Sequence, residues 1–360
     1  MIASRALKLA GLDHNYKRER SARRVGGGGF FITVVVPTKD NESTIAELME
    51  SLARQSYRSF EVVVVDSSRD RTPEIASRYS FARVVKVPPV GLNVARNAGV
   101  REARGEVVAF TDGDCRASPD WLQRVAEFFS THPDAAAVGG SVLTAREQAG
   151  KIVADYYNEA LWPMMPVYRV VVEIGARNFH KVRVPNGNNL AFRREVLLRN
   201  PFDEGLKGGY DEVELLWRLC ASGFKVYAAP EIRVEHFHTS SLRRMLKRGF
   251  SYGRGHYLFY RKHPRAPLAR FGLWGALALW CYYALLPPLA LLGFWQPLAL
   301  LPAAYVALAA AYLAKGKRAR SLAYPLLDIL FYWAMAAGAL YEAARAALSR
   351  IKGGAAKANS

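Results

Sequence analysis

Glu61-Val62-Val63-Val64-Val65-Asp66 is a run of four valines closing on an aspartate, and its reading decides the fold. Four successive β-branched residues show no alternation of polar and apolar positions. The strand they predict is therefore covered on both faces. The pattern recurs along the chain. Phe30–Val36 is a β-rich run ended by Pro37, Val84–Val87 is a third strand, and Val107–Thr111 is a fourth that runs into Asp112. Helical patterns fill the intervals at 44–54, 72–79, 93–103 and 119–130. Alternating strands and helices predict an α/β domain with a doubly wound, mostly parallel, Rossmann-like sheet over residues 30–240.

Working outward, the 360 residues are 51% hydrophobic, too apolar for a disordered chain and too varied for a collagen or coiled coil. Three separated cysteines (Cys115, Cys220, Cys281) with no CxxC pair exclude a disulfide framework and a zinc finger. The net charge of +19 points to an anionic partner: nucleic acid, phosphorylated substrate or acidic lipid. From Phe271 to Ala314 there are 44 residues without Asp, Glu, Lys or Arg, enough for two membrane spans of about 20 residues each. Gly293, Trp295, Gln296 and Pro297 supply the turn between them, and Pro287-Pro288 is expected to kink the first. A third apolar stretch, Ser321–Tyr341, is interrupted only by Asp328, so 271–345 holds two or three transmembrane helices. Residues 1–29 read as a basic tail ending in the Gly26–Gly29 hinge, too weakly apolar for an export signal. Residues 346–360 read as a second basic tail.

In open α/β sheets ligands bind beyond the carboxyl ends of the strands. Those ends here carry Pro37-Thr38-Lys39-Asp40, Asp66-Ser67-Ser68 and Asp112-Gly113-Asp114. No GxGxxG follows the first strand and no GxxxxGK[ST] occurs, so dinucleotide redox chemistry and a P-loop NTPase lose support. Asp112 and Asp114, one residue apart on a tight turn, can both reach one cation. Oxygen ligands suit Mg²⁺ or Mn²⁺, which in turn hold phosphates.

Four segments in order carry a resemblance: Val34-Val35-Val36-Pro37-Thr38, Val65-Asp66-Ser67-Ser68-Arg69-Asp70, Gly91-Leu92-Asn93-Val94-Ala95-Arg96-Asn97-Ala98-Gly99 and Thr111-Asp112-Gly113-Asp114. The chain resembles glycosyltransferase family 2 over residues 30 to about 240, continuing into 242–262. The resemblance implies a GT-A fold and an inverting transfer of a sugar from a nucleoside diphosphate donor. It places Pro37, Thr38 and Glu42 in the nucleoside pocket, Asp66 on the base and Arg96 near the donor sugar or diphosphate. Asp112 would face ribose and metal, with Asp114 the direct ligand, and His236 or His238 would approach the metal or diphosphate. On the acceptor side, Asp211-Glu212 occupies the place of the family's Glu-Asp pair. Glu212 matches the family base by position and Asp211 by residue type; Asp211 is favoured, with Glu212 next. Asn188 and Asn189 are candidates for acceptor hydroxyls.

The segment 241–270 combines cationic and aromatic residues and leads to an apolar run, so it is expected to lie on an anionic bilayer surface rather than on nucleic acid. The Gln-x-x-Arg-Trp run of processive polysaccharide synthases is absent, which argues against a polymerase. The reading is a multi-pass membrane hexosyltransferase with a cytosol-facing catalytic domain. Its partners would be a nucleotide-sugar, a lipid-linked or saccharide acceptor and membrane lipid, with no nucleic acid. Transfer to polyprenyl phosphate is the rival. That acceptor is already anionic, so the acidic pair favours a hydroxyl.

Overall fold

The computed structural model describes residues 29–89, 91–316 and 322–358. The basic tail expected at 1–29 lies, Gly29 excepted, outside the described residues. In chain order the first half runs β1 (Ile32–Thr38), α1 (Ile45–Ala53), β2 (Phe60–Asp66), α2 (Thr72–Ala76), β3 (Ala82–Lys86), α3 (Leu92–Glu102), β4 (Val107–Phe110), β5 (Cys115–Ala117), α4 (Trp121–Thr131) and β6 (Ala135–Thr144). Then follow α5 (Ile152–Glu159), β7 (Val172–Ile174), β8 (Leu190–Arg193), α6 (Arg194–Arg199), α7 (Asp211–Ala221) and β9 (Lys225–His236). The C-terminal part is helical: α8 (Leu242–Lys262), α9 (Pro267–Leu291), α10 (Leu300–Ala314) and α11 (Tyr324–Ala358).

The strands form one sheet in the order β3-β2-β1-β4-β8-β6-β9-β5, with β7 beside β9. β3, β2, β1 and β4 are parallel, and Thr38 stands opposite Asp66 in register. Val34 to Val36 and Val62 to Val65 have no exposed surface, which explains why these strands lack alternation. The other half of the sheet is mixed. β8 runs antiparallel to both β4 and β6, whereas β6 and β9 are parallel. No helix connects β7 to β8, and without a crossover helix β8 enters the sheet reversed.

α8 crosses α11 at backbone contact. A Cβ on Gly253 would collide with the Met335 carbonyl oxygen, and one on Gly338 with that of Phe250. An ion pair from Arg254 Nε to Glu342 Oε2 at 2.8 Å closes the crossing. Asp328, the one acid in the third apolar stretch, is buried and accepts hydrogen bonds from Tyr156 of α5 and Tyr312 of α10. Tyr324 donates to Glu159 at 2.7 Å, so α11 is fastened to the sheet domain by polar contacts at its start. Among the described residues, Gln296–Ala314 and Tyr324–Ser349 are long and apolar enough to cross a membrane, and Leu277–Leu291 is a shorter apolar helix. Leu291, Leu292, Trp295 and Val306 are fully in the open. The predicted turn falls at Gly293, with φ of +84°. Pro287 and Pro288 lie in the final turns of α9, which continues helical to Leu291. The alanine-rich sequence continues α11 through residues 346–358.

Candidate active site

A cleft of about 610 Å³ opens beyond the strand tips. Arg96 of α3, Asp112 and Asp114 after β4, Asn188 before β8, Asp211 and Glu212 of α7, and His236 at the end of β9 all line it. Residues spread over 140 positions of the sequence therefore meet in one hollow, whereas Pro37, Thr38 and Asp66 are not among the residues that line it.

α7 starts from a bent backbone. Gly208 and Gly209 have φ near +100°, and Tyr210 is held left-handed at φ 66°. A tyrosine in that region is strained and needs support from its surroundings. Its hydroxyl is 2.8 Å from His256 Nδ1 and its ring stacks on Phe259, both on α8. The first turn of α7 thereby projects Asp211 and Glu212 into the cleft. Arg96 Nη1 lies 3.6 Å from Asp211 Oδ2, and both side chains are buried. Gly187 leaves room for this guanidinium, since a Cβ there would strike Arg96 Nη2. Arg96 Nε and Nη1 have no hydrogen-bond acceptor among the described residues.

Burial raises the pKa of three carboxyl groups on the cleft wall. Burial raises Asp211 against the pull of Arg96 and a hydrogen bond from Asn93. Burial and the neighbouring Asp211 lift Glu212 to about 7, with Arg96 opposing. Burial also raises Asp112, with Arg96 pulling down and Asp114 pushing up.

Asp114, Cys115 and His236 place donor atoms within 4.8 Å of one another. His236 Nε2 to Asp114 Oδ1 is 3.3 Å, close to the roughly 3 Å between adjacent ligands of an octahedral ion held at about 2.1 Å. The Cys115 thiol is kept protonated by burial and by the charges of Asp114 and Asp112, leaving an oxygen and a nitrogen as donors that suit Mg²⁺ or Mn²⁺. Asp112 lines the cleft beside them. His238 stands outside this group, stacked between His236 and Tyr157.

The residues expected on the nucleoside side lie at the tips of β1 and β2. Thr38 donates to Asp66 Oδ1 at 2.8 Å and Ser68 donates to the same oxygen at 2.6 Å. Pro37 precedes this pair on β1, opposite Val65. Glu42 accepts a hydrogen bond from Arg71 Nε at 2.6 Å, and this contact lowers its pKa. Asn189 is removed from the candidate set. It is fully buried, accepts from Trp121 Nε1 and donates to the carbonyls of Ser141 and Ile232, so it ties three elements together.

Sequence reasoning assigned the basic segment to lipid, and the structure corrects this in part. Arg244, Lys247, Arg248, Ser251 and Tyr252, one stripe of α8, line the cleft. The signal was present as a spacing of three and four residues. The asparagines flanking Arg96 also act: Asn93 donates to Asp203 O at 2.8 Å and Asn97 to Phe202 O at 2.9 Å, pinning the loop before α7.

This architecture, a mostly parallel half joined to a mixed half with acids at the seam, is a GT-A fold. Residues 33–197 match the profile of glycosyl transferase family 2, and the protein is a glycosyltransferase carrying a domain of that family. It is 29% identical over 267 residues to glycosyltransferase AglE of Haloferax volcanii, covering 71% of this chain and 82% of that one. It is 28% identical over 191 residues to the glucosyl-dolichyl phosphate glucuronosyltransferase of the same organism, with 50% of this chain spanning about half (56%) of that protein. The mannosyltransferase PcManGT from Pyrobaculum calidifontis, solved with GDP-Man and Mn²⁺, shares the fold at TM-score 0.62 and 20% identity, over 95% of this chain and 99% of its own.

Proposed function

We propose an inverting hexosyltransferase that takes a sugar from a nucleoside diphosphate donor and gives it to a hydroxyl of a lipid-linked saccharide. The observation that carries this reading is the convergence of Asp211 and Glu212 with Arg96, Asp112 and Asp114 on the wall of one cleft. A carboxylate on that wall can accept the proton of an acceptor hydroxyl. The acceptor hydroxyl passes its proton to Glu212, and its oxygen bonds to the anomeric carbon. The bond from that carbon to the diphosphate oxygen breaks, and its electron pair leaves on the diphosphate. One displacement inverts the anomeric centre. Asp211, held by Arg96 and Asn93, fixes the guanidinium and keeps Glu212 basic. Arg96 and the Lys247-Arg248 pair stabilise the departing charge.

Asp114 and His236, with Asp112 beside them, would hold Mg²⁺ or Mn²⁺, which when bound supplies positive charge to the diphosphate. Thr38 and Asp66 would read the base. A relative named for a dolichyl phosphate-linked sugar supports a lipid-linked acceptor, and a fold neighbour holding GDP-Man and Mn²⁺ supports this donor and metal class. The apolar helices support a membrane enzyme, and the basic sequences Arg261–Arg270 and Lys315–Arg320 support a cytosolic catalytic domain. The cationic stripe turned into a cleft favours phosphates over a nucleic acid duplex.

The test is transfer from a panel of nucleotide-sugars with Mn²⁺ to lipid-linked saccharides. The double variant Asp211→Asn, Glu212→Gln should abolish transfer while nucleotide binding survives. Full activity in that variant would favour polyprenyl phosphate as acceptor, which needs no base.

A further inference from the structure

A second cavity, of about 180 Å³, lies behind the first turn of α7 and shares Asn186, Tyr210, Glu212 and Tyr252 with the cleft. The rest of its wall is largely apolar and comes from two sources. Val182 and Val184 belong to the sheet domain, while Leu268, Phe331 and Met335 belong to the C-terminal helices. One cation sits in this apolar wall. The Arg183 guanidinium lies 3.7 Å over the ring of Trp162, and its Nη2 is buried without a hydrogen-bond partner. Among the described residues no carboxylate comes within ion-pair distance of it. His180, on the same wall, has a buried Nδ1 that is also unpartnered.

A desolvated guanidinium without an anion is costly to keep. Burial lowers Arg183 only to about 10, so it stays charged at neutral pH. The position thus lacks a counter-anion, and the surroundings say which kind. The apolar walls disfavour a free inorganic ion. The volume is below the roughly 300–1,000 Å³ of a site for a drug-sized ligand, so a nucleotide does not fit. An uncharged lipid would leave the guanidinium unpaired.

We propose that this cavity receives the phosphate and the first carbons of the acceptor's lipid chain. Arg183 and His180 bind the phosphate, the chain continues along the apolar faces of α9 and α11, and the attached sugar reaches Glu212 through the shared wall. The proposal rests on the transferase reading above and narrows its acceptor to a phosphate-linked isoprenoid or alkyl saccharide.

The probe is farnesyl phosphate, with farnesol and inorganic phosphate as controls, titrated by calorimetry into the full chain in detergent. Farnesyl phosphate should bind, and Arg183→Gln should weaken it at least tenfold while Arg183→Lys retains part of the affinity. Melting temperature and affinity for a nucleoside diphosphate with Mn²⁺ check that the variant folds. His180→Ala removes no buried ion pair and should weaken the probe about threefold, giving the answer if Arg183→Gln does not fold. Equal affinity in wild type and variants, or farnesol binding as tightly as its phosphate, overturns the proposal. Inorganic phosphate binding as tightly as the farnesyl ester assigns the site to free phosphate and also overturns it. A wild type that binds nucleotide but not farnesyl phosphate defeats this inference alone, whereas one that binds neither defeats the transferase reading itself.

Discussion

Arg96 and Asp211 face each other at 3.6 Å, both buried, and join the helix after β3 to the helix that carries the acid pair. The contact makes the basicity of Glu212 depend on a residue more than 100 positions upstream, because Arg96 is the cation opposing its upward shift.

The pH dependence follows. With Glu212 as base, kcat/KM should rise through about pH 7 to a plateau, and Glu212→Gln should lose both the limb and most of the activity, by 10²–10⁴-fold. Arg96→Met should move the limb to higher pH. A wild-type profile flat from about pH 6 to 8 removes Glu212 from the base role. Stability shifts in the opposite sense. A carboxyl whose pKa is about 7 folded and 4.5 unfolded contributes fully below 4.5, and that contribution is lost as pH rises to 7. The wild type should therefore lose more melting temperature over that interval than Glu212→Gln does.

The metal pair has its own signature. Asp114→Asn and His236→Ala should each weaken Mn²⁺-dependent nucleotide binding by at least tenfold, and the double variant should lose little beyond either single, because both remove one ion. Calorimetry with and without Mn²⁺ checks this. Additive losses would assign the two side chains to separate tasks.

The helix crossing can be tested at one atom. Gly253→Leu must force α8 from α11 and should cost about 1–3 kcal/mol of stability. It should also weaken nucleotide binding, since the opposite face of α8 carries Arg244, Lys247 and Arg248 into the cleft. Gly275→Leu, where a Cβ meets open space, is the control and should change neither.

The parallel half of the sheet was legible in the sequence because β1 and β2 are buried on both faces, leaving a continuous apolar signal with an acid at each exit. The reversed insertion of β8 was not, since pairing partners are chosen by tertiary context rather than by local pattern. Of the candidate site, Arg96, Asp112, Asp114, Asn188, Asp211, Glu212 and His236 converge in the cleft. Asn189 shows why the rest was harder to read: a polar residue beside a strand tip looks the same in sequence whether it meets a ligand or, as here, the indole of Trp121. The stripe on α8 was visible as a periodicity, but periodicity does not say which neighbour a face will meet.

Because α8 turns one side to the reaction chamber and locks the other onto α11 without side-chain padding at Gly253, the two cannot slide independently. If α11 is embedded in a bilayer, the chamber stands at a set height above it. On the function proposed above, such an enzyme would act as a ruler, reaching acceptor groups at one distance from the lipid surface and passing over identical ones held nearer or farther.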